Sequence, residues 1–534
     1  MKVFNTTAVC IPEKHYMVDL SERVKEIKKM VDAGKYFTIN RARQYGKTTT
    51  LSALDLALSP QYDVINIDFQ DITDADFENE NEFTKGLSQM LCDTRDSIEI
   101  PVPDKYYEQL QELAGRNEKV KLNDIFRIFD KWCKENRKPI VLMIDEVDTA
   151  TNNQVFLDFL GKLRSGYLKR EKSTKYKTFQ SVILAGVTDV KHLKSKIRPD
   201  GEHKENSPWN IAADFTIDMS LSETGIEGML REYEADHHTG MDTAAIAGQI
   251  REYTNGYPFL VSRICQLLDE RMVPDTFASL REAWTQDGIE AAVKMILSEE
   301  NTLFDSLMGK LRTMPHLLGQ LKEILFRGET IPSLPDNDEQ KQLRMFGFIV
   351  NNHNTVAIAN RIFEMRLYNY FIGESHFAQE LRGNALDHKP EFIKGGQLNV
   401  PLIMDRFIET QKYIRNIDDE KAEKRFLEEQ GREKFLTYLS PIINGVGTFS
   451  VEEQTRDRKR TDVIIHYRGK RYIIEMKIWH GESRNKDGEK QIIGYLDRFG
   501  LKTGYMLSFS FNKNKEPGVH EVRIGDKLLY EGLV

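Results

Sequence analysis

The sequence is poor in cysteine, with four in 534 residues: Cys10, Cys92, Cys133 and Cys265, far apart and with no C-x-x-C pair. That scarcity argues against a disulfide framework and a zinc ribbon, and it suits a reducing cytosol. Long apolar runs are missing as well. Runs such as Ile140–Ile144 fall far short of the ~18–20 residues a membrane helix needs, so no membrane partner is expected. The opening MKVFNTTAVCIPEKHY has no apolar stretch after its first lysine and does not read as a signal peptide, so the expectation is a soluble, cytoplasmic chain. There is no surplus of positive charge: 75 Lys and Arg meet 83 Asp and Glu, a net charge of −8. Any contact with nucleic acid must therefore come from a local basic patch. Internal repeats and low-complexity tracts are absent, and a 40% hydrophobic composition excludes disorder as the main theme.

What is present is enough chain for about three to five domains at ~100–200 residues each. In the first third, Tyr36–Asn40, Val64–Phe69, Ile140–Ile144 and Ser181–Ala185 are short runs rich in Val and Ile. Separated by amphipathic stretches, they predict buried strands of a mostly parallel sheet with helical crossovers. From Ser220 to Leu297 the spacing turns helical: Ile246, Ile250 and Tyr253, then Leu260, Ile264 and Leu267, with the turn Asn255-Gly256-Tyr257-Pro258 between them. Residues 301–375 read as helices followed by a hairpin about Asn351–Asn354. Residues 376–420 are polar and weakly patterned. From Phe426 onward the order is helix, strand, hairpin, helix, strand.

Two constellations carry chemistry. Arg41-Ala42-Arg43-Gln44-Tyr45-Gly46-Lys47-Thr48-Thr49 lies between a predicted strand and a predicted helix. A phosphate loop has glycine at its first and sixth places and then Lys-Ser/Thr; here the sixth, Gly46, is present and Arg41 takes the first. Backbone N–H groups at the helix start would cradle phosphates, Lys47 would reach their oxygens, and the Thr48 hydroxyl would ligate Mg²⁺. Further on, the apolar run Ile140–Ile144 ends in Asp145-Glu146. Asp145 would join the Mg²⁺ shell and Glu146 would polarise the attacking water, although two acids after a strand also cap helices. Thr188, past the run Ser181–Ala185, either senses a γ-phosphate or caps a turn.

The second constellation is a predicted hairpin about Arg468-Gly469. Counting outward from that turn sets Asp462 opposite Glu475, and alternation puts Lys477 on the face of Glu475. Two carboxylates so close suit Mg²⁺, and the amine would orient or deprotonate a water attacking a phosphodiester. A slip of one residue destroys the arrangement, and a merely wet amphipathic hairpin is the bland alternative. Arg456, Arg458, Lys459, Arg460, Lys470, Arg471, Arg484, Lys486 and Lys490 form a basic patch around it, which could equally be a solvated face.

On these residues the N-terminal half resembles the AAA-ATPase-like proteins related to STAND and archaeal ATPases. Their Arg-Pro-Arg-x-Phe-Gly-Lys-Ser/Thr loop is similar to Arg41–Thr48, with Ala42 in the proline place. Tyr16-Met-Val-Asp19 resembles their N-terminal element, and Thr254-Asn-Gly256-Tyr-Pro258 their Gly-x-Pro motif. Phe346–Asn360 is similar to the winged helix that follows. The C-terminal part resembles the PD-(D/E)XK nuclease superfamily, with Asp462, Glu475 and Lys477 in the motif places and Gln491 and Tyr495 as a Gln-x-x-x-Tyr element. Glu429, Glu433 or Glu452 would then supply a further carboxylate.

The resemblance implies an α/β fold, a P-loop NTPase parallel sheet with helical lid and winged helix, followed by a small α/β restriction-endonuclease-like domain. Its boundaries are 1–217, 218–300 and 301–375 for these three parts, 376–420 for a linker and 421–534 for the nuclease-like domain. It implies ATP and Mg²⁺ bound by Arg41 to Thr49, Asp145 and Thr188, hydrolysis through Glu146, and Mg²⁺-dependent cleavage of DNA by Asp462, Glu475, Lys477 and Gln491, gated by nucleotide. RNA in place of DNA, and a homo-oligomer, stay open. The rival readings are a nucleotide-dependent scaffold whose nuclease fold binds without cutting, and an ATPase that acts on protein partners.

Overall fold

The structure, a computed structural model of the 534-residue chain, describes all residues except 1, 99, 152, 189, 191–207, 327–330, 375–377, 416–427, 444–446, 452–461, 479–488, 491, 498 and 511–515. Two compact units divide it. The first comprises residues 1–251, 255–285 and 345–347, the second residues 252–254, 286–344 and 348–534. No helix among the described residues is long and apolar enough to cross a membrane.

The first unit is built on four parallel strands, β1 (Phe37–Asn40), β2 (Asp63–Asp68), β3 (Ile140–Asp145) and β4 (Ser181–Gly186), in the order β1-β4-β3-β2. β3 and β4 are buried at every position, which is why their sequences are continuous apolar runs rather than alternating ones. The two faces still divide them: Ile140, Leu142 and Ile144 pack into one core with Phe69, Phe83, Trp132 and Phe156, while Val141 and Met143 pack into another with Ile27, Val31, Leu51 and Leu54. Among the helices that follow the sheet, three show their start signals plainly. Ser222 caps Glu223–His237, Asp242 caps Thr243–Thr254, and Pro258 opens Pro258–Glu270 at the position where its missing N–H costs nothing. The N-terminal segment is tied to these helices through Phe4, whose ring lies 5.1 Å from Tyr16 and 5.1 Å from Tyr233, and through the Tyr16 hydroxyl, which donates to Asp236 at 2.7 Å.

The second unit begins with helices Gln286–Ser298, Thr302–Thr313 and His316–Phe326; later come the hairpin β5 (Ile349–Asn352) and β6 (Thr355–Ile358) and the helix Arg361–Glu374. The expected linker, 376–420, is instead largely folded. It carries the helix Ala378–His388, the short pair β7 (Ile393–Lys394) and β8 (Gln397–Leu398), and the helix Val400–Arg415. That last helix buries Val400, Ile403, Met404, Phe407 and Ile408, an apolar stripe at helical spacing, and Phe407 meets the rings of Phe435, Tyr438 and Phe509. After the helix Glu428–Ile443 comes a six-stranded mixed sheet of β9 (Gly447–Val451), β10 (Asp462–Tyr467), β11 (Lys470–Ile478), β12 (Thr503–Phe509), β13 (Gly518–Ile524) and β14 (Lys527–Leu533), in the order β13-β14-β12-β11-β10-β9. β11–β12 and β12–β14 pair in parallel, the other neighbours antiparallel.

Candidate functional site

β1 ends at Asn40, and a six-residue loop returns the chain into the helix Lys47–Leu58. Two left-handed residues shape that loop, Gln44 with φ 56° and Gly46 with φ 77°. The second favours glycine, because a side chain in that region costs about 1–2 kcal/mol. The turn aims the helix's first N–H groups, which lack intrahelical partners, out of the C-terminal edge of the sheet. Lys47 is 6% exposed, and its ammonium donates to the carbonyls of Arg41 and Ala42, each at 3.2 Å. Burial holds the Lys47 ammonium below the usual lysine range, opposed by the carboxylates of Glu146, Asp148 and Asp145.

The Thr48 hydroxyl donates to Asp145 Oδ2 at 2.7 Å, joining the helix start to the end of β3. Asp145 is 3% exposed, and its other oxygen accepts from the Glu146 N–H at 2.9 Å. Glu146 itself sits at φ 50°, a left-handed geometry that a non-glycine residue adopts only where its surroundings impose it. Burial pushes its carboxyl up, with Lys47 pulling the other way. Two acids that sequence reasoning passed over complete the edge. Asp68 ends β2 in register with Asp145, the same place in its own apolar run. Asp148 accepts from the N–H groups of Val187 at 2.6 Å and Thr188 at 2.7 Å, so it fixes the main chain that presents Thr188. The main chain at Gly186 runs close beside it: a Cβ there would lie 2.9 Å from Val147 and 3.0 Å from the Asp148 carboxylate, so a side chain would push one of them aside.

The other loop residues have structural work. The Arg41 N–H donates to the Gly186 carbonyl at 3.1 Å, and its guanidinium donates to the carbonyls of Asn40 at 2.8 Å and Ile217 at 2.7 Å. Ala42 is buried, Arg43 exposed, and the Thr49 hydroxyl accepts from the Cys10 N–H at 3.2 Å. Tyr45 meets Tyr257 edge-on at 4.8 Å, and the Tyr257 hydroxyl donates to the Arg43 carbonyl.

In the second unit the hairpin turns at Arg468 (φ 48°) and Gly469 (φ 71°), both left-handed, the two-residue turn that matches sheet twist. Asp462 stands opposite Glu475, as counted from the sequence. Only the backbone of Asp462 is described. Glu475 is 1% exposed, a burial tolerable for a carboxylate only with a partner, and Lys477 is half-buried. On the face of β11 that carries them, Ile473 packs with Ile464 and Tyr495, so the helical residues 492–497 lie against that face. Gln491, Trp479, Glu452, Arg456, Arg458, Lys459, Arg460, Arg484 and Lys486 lie outside the described residues. Glu433 pairs with Lys322 at 3.0 Å. Among the described residues no group of three or more His, Cys, Asp or Glu is arranged to hold a metal ion.

A parallel sheet in the order β1-β4-β3-β2, with a loop–Gly-Lys-Thr helix start at β1 and a Thr–Asp contact to β3, defines the first unit as a P-loop ATPase-like domain. The chain belongs to the AAA-like domain family, whose model matches residues 9–372. Among curated proteins it is 24% identical over 370 residues to the uncharacterized WD repeat-containing protein slr0143 of Synechocystis sp., covering 64% of this chain and 28% of that protein, so it spans under a third of that relative's length. Among solved structures, the Walker-type ATPase paby2304 of Pyrococcus abyssi is 14% identical, with 68% of this chain and 99% of that one covered and a TM-score of 0.45. Cdc6p of Pyrobaculum aerophilum is 13% identical, with 69% and 97% covered and a TM-score of 0.30.

Proposed function

We propose that the chain binds and hydrolyses ATP at the end of β1 and β3, and that its C-terminal sheet cleaves DNA with the help of Mg²⁺. The observation that carries the first half is the 2.7 Å contact from Thr48 to Asp145 beside a buried Lys47. A hydroxyl and a carboxylate are hard oxygen donors, the kind Mg²⁺ takes alongside phosphate oxygens and water. Bound there, the ion would supply positive charge against the phosphates. Lys47 would exchange the Arg41 and Ala42 carbonyls for phosphate oxygens, and the N–H groups from Gly46 to Thr49 would hold the chain of phosphates. Glu146 would accept a proton from the attacking water, and Thr188, held by Asp148, would face the terminal phosphate.

The second half is supported by the register that pairs Asp462 with Glu475 and sets Lys477 on the same face. Asp462 and Glu475 would hold Mg²⁺, and Lys477 would orient the water and steady charge on the phosphodiester. Gln491 and the basic residues around the hairpin would hold the backbone of DNA, and the helices and hairpin of 301–375, read as a winged helix, would add contact. Nucleotide turnover would gate the cut. The test is a supercoiled plasmid incubated with Mg²⁺ or Mn²⁺, with and without ATP. Wild type is expected to nick it, Lys477→Ala to leave it intact, and Lys47→Ala to lose the ATP dependence. No cleavage under any nucleotide or metal would overturn the nuclease reading.

A further inference from the structure

Ser508, on β12, is 3% exposed, and its hydroxyl has no hydrogen-bond partner among the described residues. A buried hydroxyl without a partner is costly, so such a group calls for a partner. Its position narrows what that contact is. β11 and β12 pair in parallel with Lys477 opposite Ser508 and Glu475 opposite Met506, which sets the two side chains of each pair on one face, with neighbouring backbones about 4.8 Å apart. Packing identifies the face independently. A Cβ at Gly504, four residues before Ser508, would lie 2.9 Å from Ile492 and 3.0 Å from Leu496 in the helical residues 492–497. Ile473, four residues before Lys477, packs with Tyr495 of that same helix. Alternation therefore puts Ser508, Glu475 and Lys477 together on the face against which that helix packs, while Leu507 turns to the opposite face and would lie 3.0 Å from a Cβ at Gly532.

We infer that Ser508 is a positioning residue for Lys477, its hydroxyl oxygen accepting from the Lys477 ammonium when the site is engaged with a phosphodiester. This rests on the nuclease reading above. Ser508 is too buried to touch substrate and acts only through the amine. A serine at this place gives Lys477 an acceptor on the neighbouring strand, so the ammonium is held by the sheet itself. Threonine offers the same oxygen; alanine offers none.

The experiment compares wild type, Lys477→Ala, Ser508→Ala and Ser508→Thr on a plasmid with Mg²⁺, together with DNA affinity measured by fluorescence anisotropy in Ca²⁺. Ser508→Ala is expected to lower kcat roughly tenfold, with KM and the Ca²⁺ affinity unchanged, and Ser508→Thr to retain most of the rate. If wild type and Ser508→Ala cut alike while Lys477→Ala does not cut, this inference is overturned and the nuclease reading stands. Equal losses in Ser508→Ala and Ser508→Thr would also overturn it, by pointing to packing rather than to the hydroxyl. If wild type does not cut, both fall.

Discussion

The hydroxyl of Tyr257 donates to the main-chain carbonyl of Arg43, so the turn that opens the helix Pro258–Glu270 holds the phosphate loop from outside. The ring reinforces it by meeting Tyr45 at 4.8 Å. Tyr257→Phe keeps the ring and removes the donor. A hydrogen bond of this kind contributes about 0.5–1.5 kcal/mol, so ATP affinity should fall by roughly 2–10-fold in a fluorescent-nucleotide titration. An unchanged affinity would show that the loop keeps its shape without that anchor.

Asp148 bonds two successive N–H groups, and its replacement separates loop positioning from nucleotide binding. Asp148→Ala leaves Lys47, Thr48 and Asp145 in place but releases the main chain at Val187 and Thr188. Binding should stay near wild type while ATP hydrolysis falls by about tenfold or more. Phosphate release assays beside binding isotherms check this, and a parallel loss of both would contradict it.

The two glycines at left-handed φ near the loop should respond very differently to alanine. At Gly46 a Cβ finds only the Pro258 ring, 3.8 Å away, so Gly46→Ala should cost stability about 1–2 kcal/mol, the strain of the backbone alone. At Gly256, with φ 69°, the Cβ would lie 2.2 Å from the Leu221 carbonyl, which itself belongs to fixed backbone. Gly256→Ala should therefore lose at least about 2 kcal/mol more than Gly46→Ala in chemical denaturation. Equal losses would mean that the Leu221 chain moves freely.

How much of this was legible in the sequence depends on where each signal is written. β3 and its terminal Asp145-Glu146 are plain because burial on both faces demands a continuous apolar run. The hairpin register is plain because Arg468-Gly469 suits the two-residue turn with left-handed residues at both centres. Asp68 and Asp148 are not, because their roles come from strands and loops brought side by side only in the fold. Arg41 stands where a phosphate ligand is expected, and nothing local announces that the Ile217 carbonyl will claim its guanidinium. The helix Val400–Arg415 is a different case: its stripe is present at helical spacing, but polar neighbours outweigh it when the whole window is read as a linker.

His466 gives the second unit an acid sensitivity. Burial, with help from the nearby Arg361 and Arg471 guanidiniums, pulls its imidazole down to about 3 from the ordinary 6.5, and Arg361 stands 2.9 Å from Nε2. Glu290 lies 3.9 Å from Nδ1 and would favour the charged form, but at that distance it does not offset burial and two cations. Between these two pH values the unfolded chain takes up a proton that the folded chain refuses. Stability is therefore present above the ordinary histidine value and falls as the pH drops below it, by about 2 kcal/mol from pH 7 to pH 5. In His466→Gln the difference between denaturation midpoints at those two pH values should shrink. The same acid sensitivity in both proteins would contradict this.

The most direct test of the central claim is single-turnover hydrolysis of ATP with Mg²⁺ by wild type and Glu146→Gln, each at saturating protein. Both proteins should bind ATP, and the variant, whose amide cannot accept the proton of the attacking water, should hydrolyse it about 10²–10⁴-fold more slowly. Equal rates in the two proteins would contradict it.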